Sequence, residues 1–229
     1  MPSTKKTLHF MSSALLTSIS VGLLGFGMST QWAIMTMECA RGGSGLYNGT
    51  ATVTLELFEG LMDRVSCPTF GAETDFEVFP KLSGTGIASL VLHALSLCLL
   101  CLCLLCSAGS ILISLYNSVS NPYETYMGPI GVYVCSSIST CLSVLVLILF
   151  VVNVNLTSMA EELVMSFNED VDLKNKSVEM QVGYYLLIPY AVLSLLALSL
   201  IYMYDHAAYT QRREQQRPTE DAPKEIMMY

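Results

Sequence analysis

Four long blocks of the chain carry no Asp, Glu, Lys or Arg side chain. These blocks cover residues 7–37, 82–123, 125–160 and 180–204. Each is longer than the roughly 20 residues that an α-helix needs to cross the hydrocarbon core of a bilayer. The pattern predicts an all-α membrane protein, a bundle of four transmembrane helices. We expect these helices over residues 8–29, 87–116, 130–152 and 182–204.

Polar segments separate the predicted helices and alternate between the two sides of the membrane. Lys5 and Lys6 precede the first helix, and Arg212 and Arg213 follow the last. Because basic residues concentrate on the cytosolic side, we expect a multi-pass protein of the plasma membrane with both termini in the cytosol. The segments are then a cytosolic N-terminus (1–7), a first extracellular loop (30–86), a cytosolic turn (117–129), a second extracellular loop (153–181) and a disordered cytosolic tail (205–229).

The first apolar block has a second interpretation, a cleaved signal peptide. Lys5 and Lys6 precede it, and small residues occur at Gly25–Gly27. Its apolar run is longer than the about 7–15 residues of a usual signal-peptide core, which favours a retained helix. Both interpretations place the segment that follows outside the cytosol.

The cytosolic turn is short and contains two turn-forming dipeptides, Asn121-Pro122 and Gly128-Pro129. Residues that precede proline disfavour the helical conformation, so both neighbouring helices are expected to stop close to this turn. A short turn makes the second and third helices antiparallel neighbours.

The composition agrees with a membrane protein, because only 13% of the residues are charged, against about 25% in soluble domains. Most of the net charge of −8 comes from the two predicted extracellular loops. Such acidic loops are typical of a solvated surface, and they also suit a surface that attracts cations.

Two cysteines and three sequons lie in the extracellular loops. Cys39 and Cys67 are the only two cysteines in these loops. Because extracellular cysteines usually pair, we expect one disulfide between them. Asn48, Asn175 and Asn155 each begin an Asn-x-Ser/Thr acceptor motif. Asn155 is the weakest candidate for N-glycosylation, because it lies close to the third predicted helix.

The chain shows no pattern typical of an enzyme. The cysteines of the second helix, within LCLLCLCLLC (97–106), can signal zinc or redox chemistry, but their leucine surroundings favour apolar packing. His93 is the one His, Asp, Glu, Lys or Arg well inside a predicted span, and we favour a packing role for it over an ionisable site. We therefore expect no catalytic residues, metal, cofactor or nucleic-acid partner.

Small residues recur every fourth position in two predicted helices. Ala14, Ser18 and Gly22 form such a row in the first helix, and Ser136 and Thr140, with Ser139 and Ser143 beside them, do so in the third. Because small side chains let membrane helices approach closely, both rows are expected to face other helices of the bundle.

Three stretches resemble the clarin family, four-span membrane proteins related to the claudin superfamily: MPSTKKTLHFMSS, YNSVSNPYETYMGPIGVY and RREQQRPTEDAPKEIMMY. Trp32, the segment Leu57–Gly60, and Cys39 and Cys67 also look like the superfamily's Trp, Gly-Leu-Trp-like and cysteine motif. The resemblance implies a small extracellular β-sheet in the first outer loop, where the run Thr50–Thr54 has strand propensity.

The resemblance also implies a function. It points to a non-enzymatic protein that organises or scaffolds other membrane proteins laterally, at cell contacts or actin-linked membrane regions. Such a protein can form homo-oligomers, and its last residues, IMMY, could engage a PDZ domain or a cytoskeletal adaptor. The alternative is a claudin-like pore or channel-associated subunit, suggested by the acidic loops. A true tetraspanin is disfavoured, because the larger loop comes first and no Cys-Cys-Gly motif is present.

Overall fold

The computed structural model describes residues 4–43, 45–67, 71–84, 86–119, 128–167 and 171–216. Six helices and five strands follow one another along these residues. In chain order they are α1 (Thr4–Met28), β1 (Ala33–Arg41), β2 (Gly49–Leu55), β3 (Glu59–Val65), β4 (Gly71–Glu77), α2 (Val78–Ser83), α3 (Ile87–Val119), α4 (Pro129–Leu156), α5 (Met159–Met165), β5 (Val171–Met180) and α6 (Val182–Gln216).

Four of these helices are long and apolar enough to cross a membrane: α1, α3, α4 and the first part of α6, Val182–Ala207. The predicted fold class, a four-helix membrane bundle with a small β-sheet, is therefore confirmed. Most of the predicted cytosolic turn, residues 120–127, lies outside the described residues. So do residues 217–229, which include the predicted adaptor-binding end.

The last helix is longer than the sequence suggested. We expected residues 205–229 to be disordered, whereas α6 continues through this segment to Gln216. Eight of the twelve residues in this extension are Ala, Gln, Arg or Glu, which have high helix propensity. Its polar composition correctly marked the end of the apolar stretch, but it did not mark the end of the helix.

The four long helices form a closed ring in which each packs against two neighbours. α1 contacts α3 and α6, and α4 contacts the same two helices. The interior contains many buried serines, including Ser107, Ser110 and Ser136. The hydroxyl of Ser110 lies 3.2 Å from that of Ser136, and that of Ser107 lies 2.8 Å from the Tyr190 hydroxyl. Small side chains and hydroxyl contacts thus join the helices where hydrophobic burial alone gives no advantage over lipid.

The row of small residues in α1 is only partly inside the bundle. Ala14 is buried, whereas Ser18 and Gly22 are exposed on the lipid-facing side, so the prediction is wrong for these two. An α-helix has 3.6 residues per turn, so a step of four residues drifts by about 40° around it, and the row leaves the interior. The corresponding row in α4 is correctly predicted for Ser136, Ser139 and Ser143, which are buried.

All five strands join one antiparallel sheet in the order β4-β3-β2-β1-β5. The first connecting segment supplies β1 to β4, as the predicted sheet requires, and the second supplies β5. β1 lies between β2 and β5, pairing Ala33 with both Leu55 and Met180. The two connections of the chain on this side of the membrane therefore form one module.

The sheet continues directly from two neighbouring helices. Met28 ends α1 shortly before β1 begins at Ala33, and β5 ends at Met180 shortly before α6 begins at Val182. Because α1 packs against α6 and β1 pairs with β5, the helix pair and the strand pair are stacked on each other. This stacking places the start of α1 and the end of α6 together on the side opposite the sheet.

Trp32 occupies the junction between the sheet and the bundle. Its side chain is fully buried, and its Nε1–H donates to the Gly27 carbonyl at 2.8 Å. Its backbone N–H donates to Leu55 at 2.8 Å, and its carbonyl accepts from the Gln181 N–H at 2.9 Å. The indole ring also packs edge-on against Phe150, with 5.0 Å between ring centroids. One residue thus contacts the end of α1, the end of β2, the start of α6 and α4.

Candidate functional site

The sheet presents one face to the protein interior and the other to solvent. Along β1, Ala33, Met35 and Met37 are buried in the hydrophobic core, which continues into α2, α5 and the nearby ends of α3 and α4. The alternate positions Ile34, Thr36 and Glu38 face outward and are half-buried. The exposed face of the sheet is therefore the surface available to a partner on this side of the membrane.

Threonines and carboxylates make up most of this outer face. Cross-strand pairing places the threonines of β1 and β2 in the middle of the sheet. Carboxylates lie on β1, β3, β4 and β5. The threonines are Thr36, Thr50, Thr52 and Thr54, and the carboxylates are Glu38, Glu59, Asp63, Asp75, Glu77 and Glu179. Lys174 of β5 lies opposite Glu38. The face is therefore polar and acidic.

The acidic residues enclose an open cleft at the membrane-proximal end of β3 and β4. The cleft has a volume of about 450 Å³, and its lining includes Glu56, Glu59, Asp75 and Glu77. Glu59 and Glu77 are direct cross-strand neighbours, an arrangement of like charges that destabilises a sheet unless a cation is nearby. Among the described residues, no Lys or Arg lines this cleft.

A disulfide joins Cys39, near the end of β1, to Cys67, which follows β3. Their Cα atoms are 5.7 Å apart, and both side chains are buried. Gly49 makes room for this crossing, because a Cβ at that position would lie 2.5 Å from the Ser66 carbonyl oxygen. The disulfide thus fastens the end of the sheet that is farthest from the helices.

The three sequons occupy different surroundings. Asn48 is exposed in the irregular segment that precedes β2. Asn175 is exposed on β5, with a φ of 54°, and its Nδ2 donates to the Glu38 carboxylate at 2.7 Å. Asn155 lies in the last turn of α4, where its Nδ2 donates to the Val151 carbonyl at 3.0 Å. Only Asn48 and Asn175 project from the sheet module, away from the helices.

Phe167 ties the second connecting segment to the first. The Lys81 ammonium nitrogen lies 3.6 Å from the centroid of the Phe167 ring, and the Phe76 ring packs edge-on against it with centroids 5.6 Å apart. Nearby, the Glu162 carboxylate of α5 accepts from the Gly86 N–H at 2.9 Å. These contacts hold α5 against α2 and against the start of α3.

His93 connects α3 to the sheet module, in agreement with the packing role that we favoured. The side chain is fully buried, and its Nε2–H donates to the Leu57 carbonyl in the β2–β3 turn at 2.8 Å. Its ring packs edge-on against Phe79 of α2, with centroids 5.4 Å apart. The sequence placed His93 inside the second predicted span, but it did not show this partner.

The cysteines of α3 do not converge on a common point. Cys98 and Cys101 are exposed on the outside of the bundle, Cys103 is buried and Cys106 is half-buried. Within the described ranges, no three His, Cys, Asp or Glu side chains are arranged to hold a metal ion. Packing is the role that these positions support.

We predict that Asn48 and Asn175 carry N-linked glycans and that Asn155 does not. Their exposure on the sheet module gives the modifying enzyme access, whereas Asn155 lies within a helical turn beside the bundle. Asn48→Gln and Asn175→Gln should each remove one glycan's mass on a denaturing gel of protein from mammalian cells, and Asn155→Gln is the matched control. A wild-type band that does not shift after enzymatic deglycosylation would contradict the prediction.

Comparison with known proteins extends the resemblance to the whole chain. A family model described as Clarin-2, Clarin-2-like, matches residues 4–202. Clarin-3 of Mus musculus is 31% identical, and Clarin-3 of Rattus norvegicus is 32% identical. Clarin-3 of Homo sapiens is 29% identical, and all three alignments cover 100% of both proteins. The chain therefore belongs to the clarin family of membrane proteins.

Proposed function

We propose that this clarin is a non-enzymatic organiser of other membrane proteins, which uses its sheet as the contact surface. The observation that carries the proposal is the exposed outer face of a five-stranded sheet to which both connecting segments contribute. The hydrogen bonds of Trp32 and His93 attach this sheet directly to the helices. A partner bound to the sheet would therefore be coupled to the position of the bundle in the membrane.

We infer that the sheet lies outside the cell and that both termini are cytosolic. The Cys39–Cys67 disulfide on the sheet side is typical of an oxidising compartment. Asn48 and Asn175 are exposed on the same side. Lys5 and Arg213 lie near the opposite ends of α1 and α6, which suits the cytosolic side. The plasma membrane is the location in which such a sheet could meet a neighbouring cell.

Lateral association would use the lipid-facing sides of the helices. Large apolar side chains are exposed along each of them, for example Leu15, Leu105, Ile148 and Leu196. Their primary environment is the bilayer itself. Other membrane proteins, or further copies of this chain, would pack on the same surfaces.

The organising role can be tested by mixing two populations of cells that express the protein with different fluorescent tags. We expect enrichment at contacts between the two colours and its loss in Cys39→Ser, because the disulfide fastens the far end of the sheet. Cys98→Ser is the matched control, since Cys98 is exposed and unpaired. Proximity labelling in the same cells identifies lateral partners. An even distribution together with no reproducible labelled partner would contradict the proposed role.

The acidic cleft favours a second candidate function, that of a pore-forming or channel-associated subunit for cations. Clustered carboxylates raise the local concentration of cations, and this cleft faces solvent beside the bundle.

This second function predicts a clear response to charge reversal. Replacing Glu56, Glu59 and Asp63 by Lys should lower the cation-to-anion permeability ratio of a confluent cell layer by about tenfold, the lower end of the range by which focused charge changes local ion concentrations. Glu161→Lys, on α5 rather than on the outer face, is the control for Glu59→Lys alone, because the two single variants change the net charge equally. Unchanged permeability in cells and in layers would exclude this function.

A further inference from the structure

A second cleft opens where α1, α6 and the β2–β3 turn meet, and its volume is about 420 Å³. Phe26 and Val182 form its apolar side, and Gln31, Glu56 and Gln181 form its polar side. Volumes of this order are typical of small-molecule sites, which run from about 300 to 1,000 Å³. The cleft thus combines an apolar wall with a small set of hydrogen-bonding groups.

The cleft lies at the surface of the membrane. α1 ends at Met28 and α6 begins at Val182, so the lining spans the boundary between the apolar helices and the polar sheet module. Phe26 is 59% exposed and Val182 is 55% exposed, and both lie on the helices, where lipid is the neighbour. A molecule in this cleft would therefore keep its apolar body in the bilayer and its polar group at the interface.

A strip without bulky side chains leads down α1 from the cleft. Gly22 lies one helical turn below Phe26, and both Gly22 and Gly25 are exposed. A Cβ added at either position would meet nothing within 4 Å. The bundle does not use this strip, and its flat surface suits a rigid, planar apolar molecule better than flexible acyl chains.

The charge of the lining limits the polar group that can bind. No Lys or Arg lines the cleft among the described residues, whereas Glu56 does. The acidic cleft of the outer face adjoins it, because Gln31 and Glu56 line both. A phosphate would meet repulsion here without a compensating cation. A neutral hydroxyl could donate to the Glu56 carboxylate and accept from a Gln amide.

We propose that this cleft binds a sterol from the membrane leaflet on the sheet side. Its hydroxyl group lies against Glu56, Gln31 and Gln181, and its ring system lies on the strip formed by Gly22 and Gly25. The proposal goes beyond the organising role and does not depend on it. Binding would give the protein a preference for sterol-rich membrane regions.

The test uses the full-length protein in nanodiscs with a photoreactive cholesterol analogue. We expect saturable labelling of the outer half of α1 that unlabelled cholesterol competes away. Gly22→Leu fills the strip without touching the bundle, and Glu56→Ala removes the acceptor of the hydroxyl. Each should lower labelling about fivefold, the factor expected for one lost hydrogen bond or contact of similar strength. Cys141→Leu, an exposed position on α4, should leave labelling unchanged.

Four outcomes would overturn the proposal. Labelling could be non-saturable and spread equally over the four spans, or unaffected by both Gly22→Leu and Glu56→Ala. Competition by phosphatidylcholine instead of cholesterol would assign the cleft to a phospholipid. Cross-linked dimers that Gly22→Leu abolishes, without an effect on sterol labelling, would assign the strip to a second copy of the chain. Thermal unfolding of each variant, compared with wild type, shows whether a loss of labelling reflects a loss of folding.

Discussion

The packing and hydrogen bonding of the Trp32 side chain at the junction of sheet and bundle are the interactions on which the rest of the structure depends. The chain enters the sheet directly after Trp32 and leaves it directly before α6, so both transitions between helix and strand occur around one indole ring. Gly27 accepts the hydrogen bond of that ring, and Gly183 passes so close to it that an added Cβ would lie 2.6 Å from a ring atom. Without this fit, the strand pair could not continue the helix pair.

This junction explains why the two connecting segments act as one surface. β1 belongs to the first segment and β5 to the second, and their pairing follows from the packing of α1 against α6. Phe167 and Glu162 then hold the remainder of the second segment against α2 and α3. These contacts hold the acidic outer face of the sheet in a fixed position relative to the four helices. A cleft at the base of that face adjoins α1 and α6, so the proposed contacts with proteins and with a sterol would meet around Glu56.

The parts of the fold that depend on composition could be predicted from the sequence. Charge is excluded from the bilayer core, so the four charge-free blocks indicated the four spans, and the resemblance pointed to a small sheet. β5 was not predicted, because an edge strand with a solvent-exposed face reads as a polar segment, as in VDLKNKSVEM. The direction in which Ser18 and Gly22 face could not be predicted from the sequence either, because it depends on which helices become neighbours. The partner of His93 lies in the β2–β3 turn, 36 residues away in sequence, and no local pattern indicates such a contact.

The Trp32 junction fixes the sheet to the bundle, and a pair of glycine variants tests this attachment most directly. Gly183→Ala places a methyl group against the indole ring, whereas Gly109→Ala meets only the Cys135 sulfur at an ordinary 3.6 Å. We would measure hydrogen exchange and thermal unfolding of both variants in detergent. For Gly183→Ala alone, we predict faster exchange in β1 and β5 and a decrease of about 1–3 kcal/mol in the free energy of unfolding, the usual cost of overpacking. Equal exchange and equal unfolding temperatures in the two variants would contradict it.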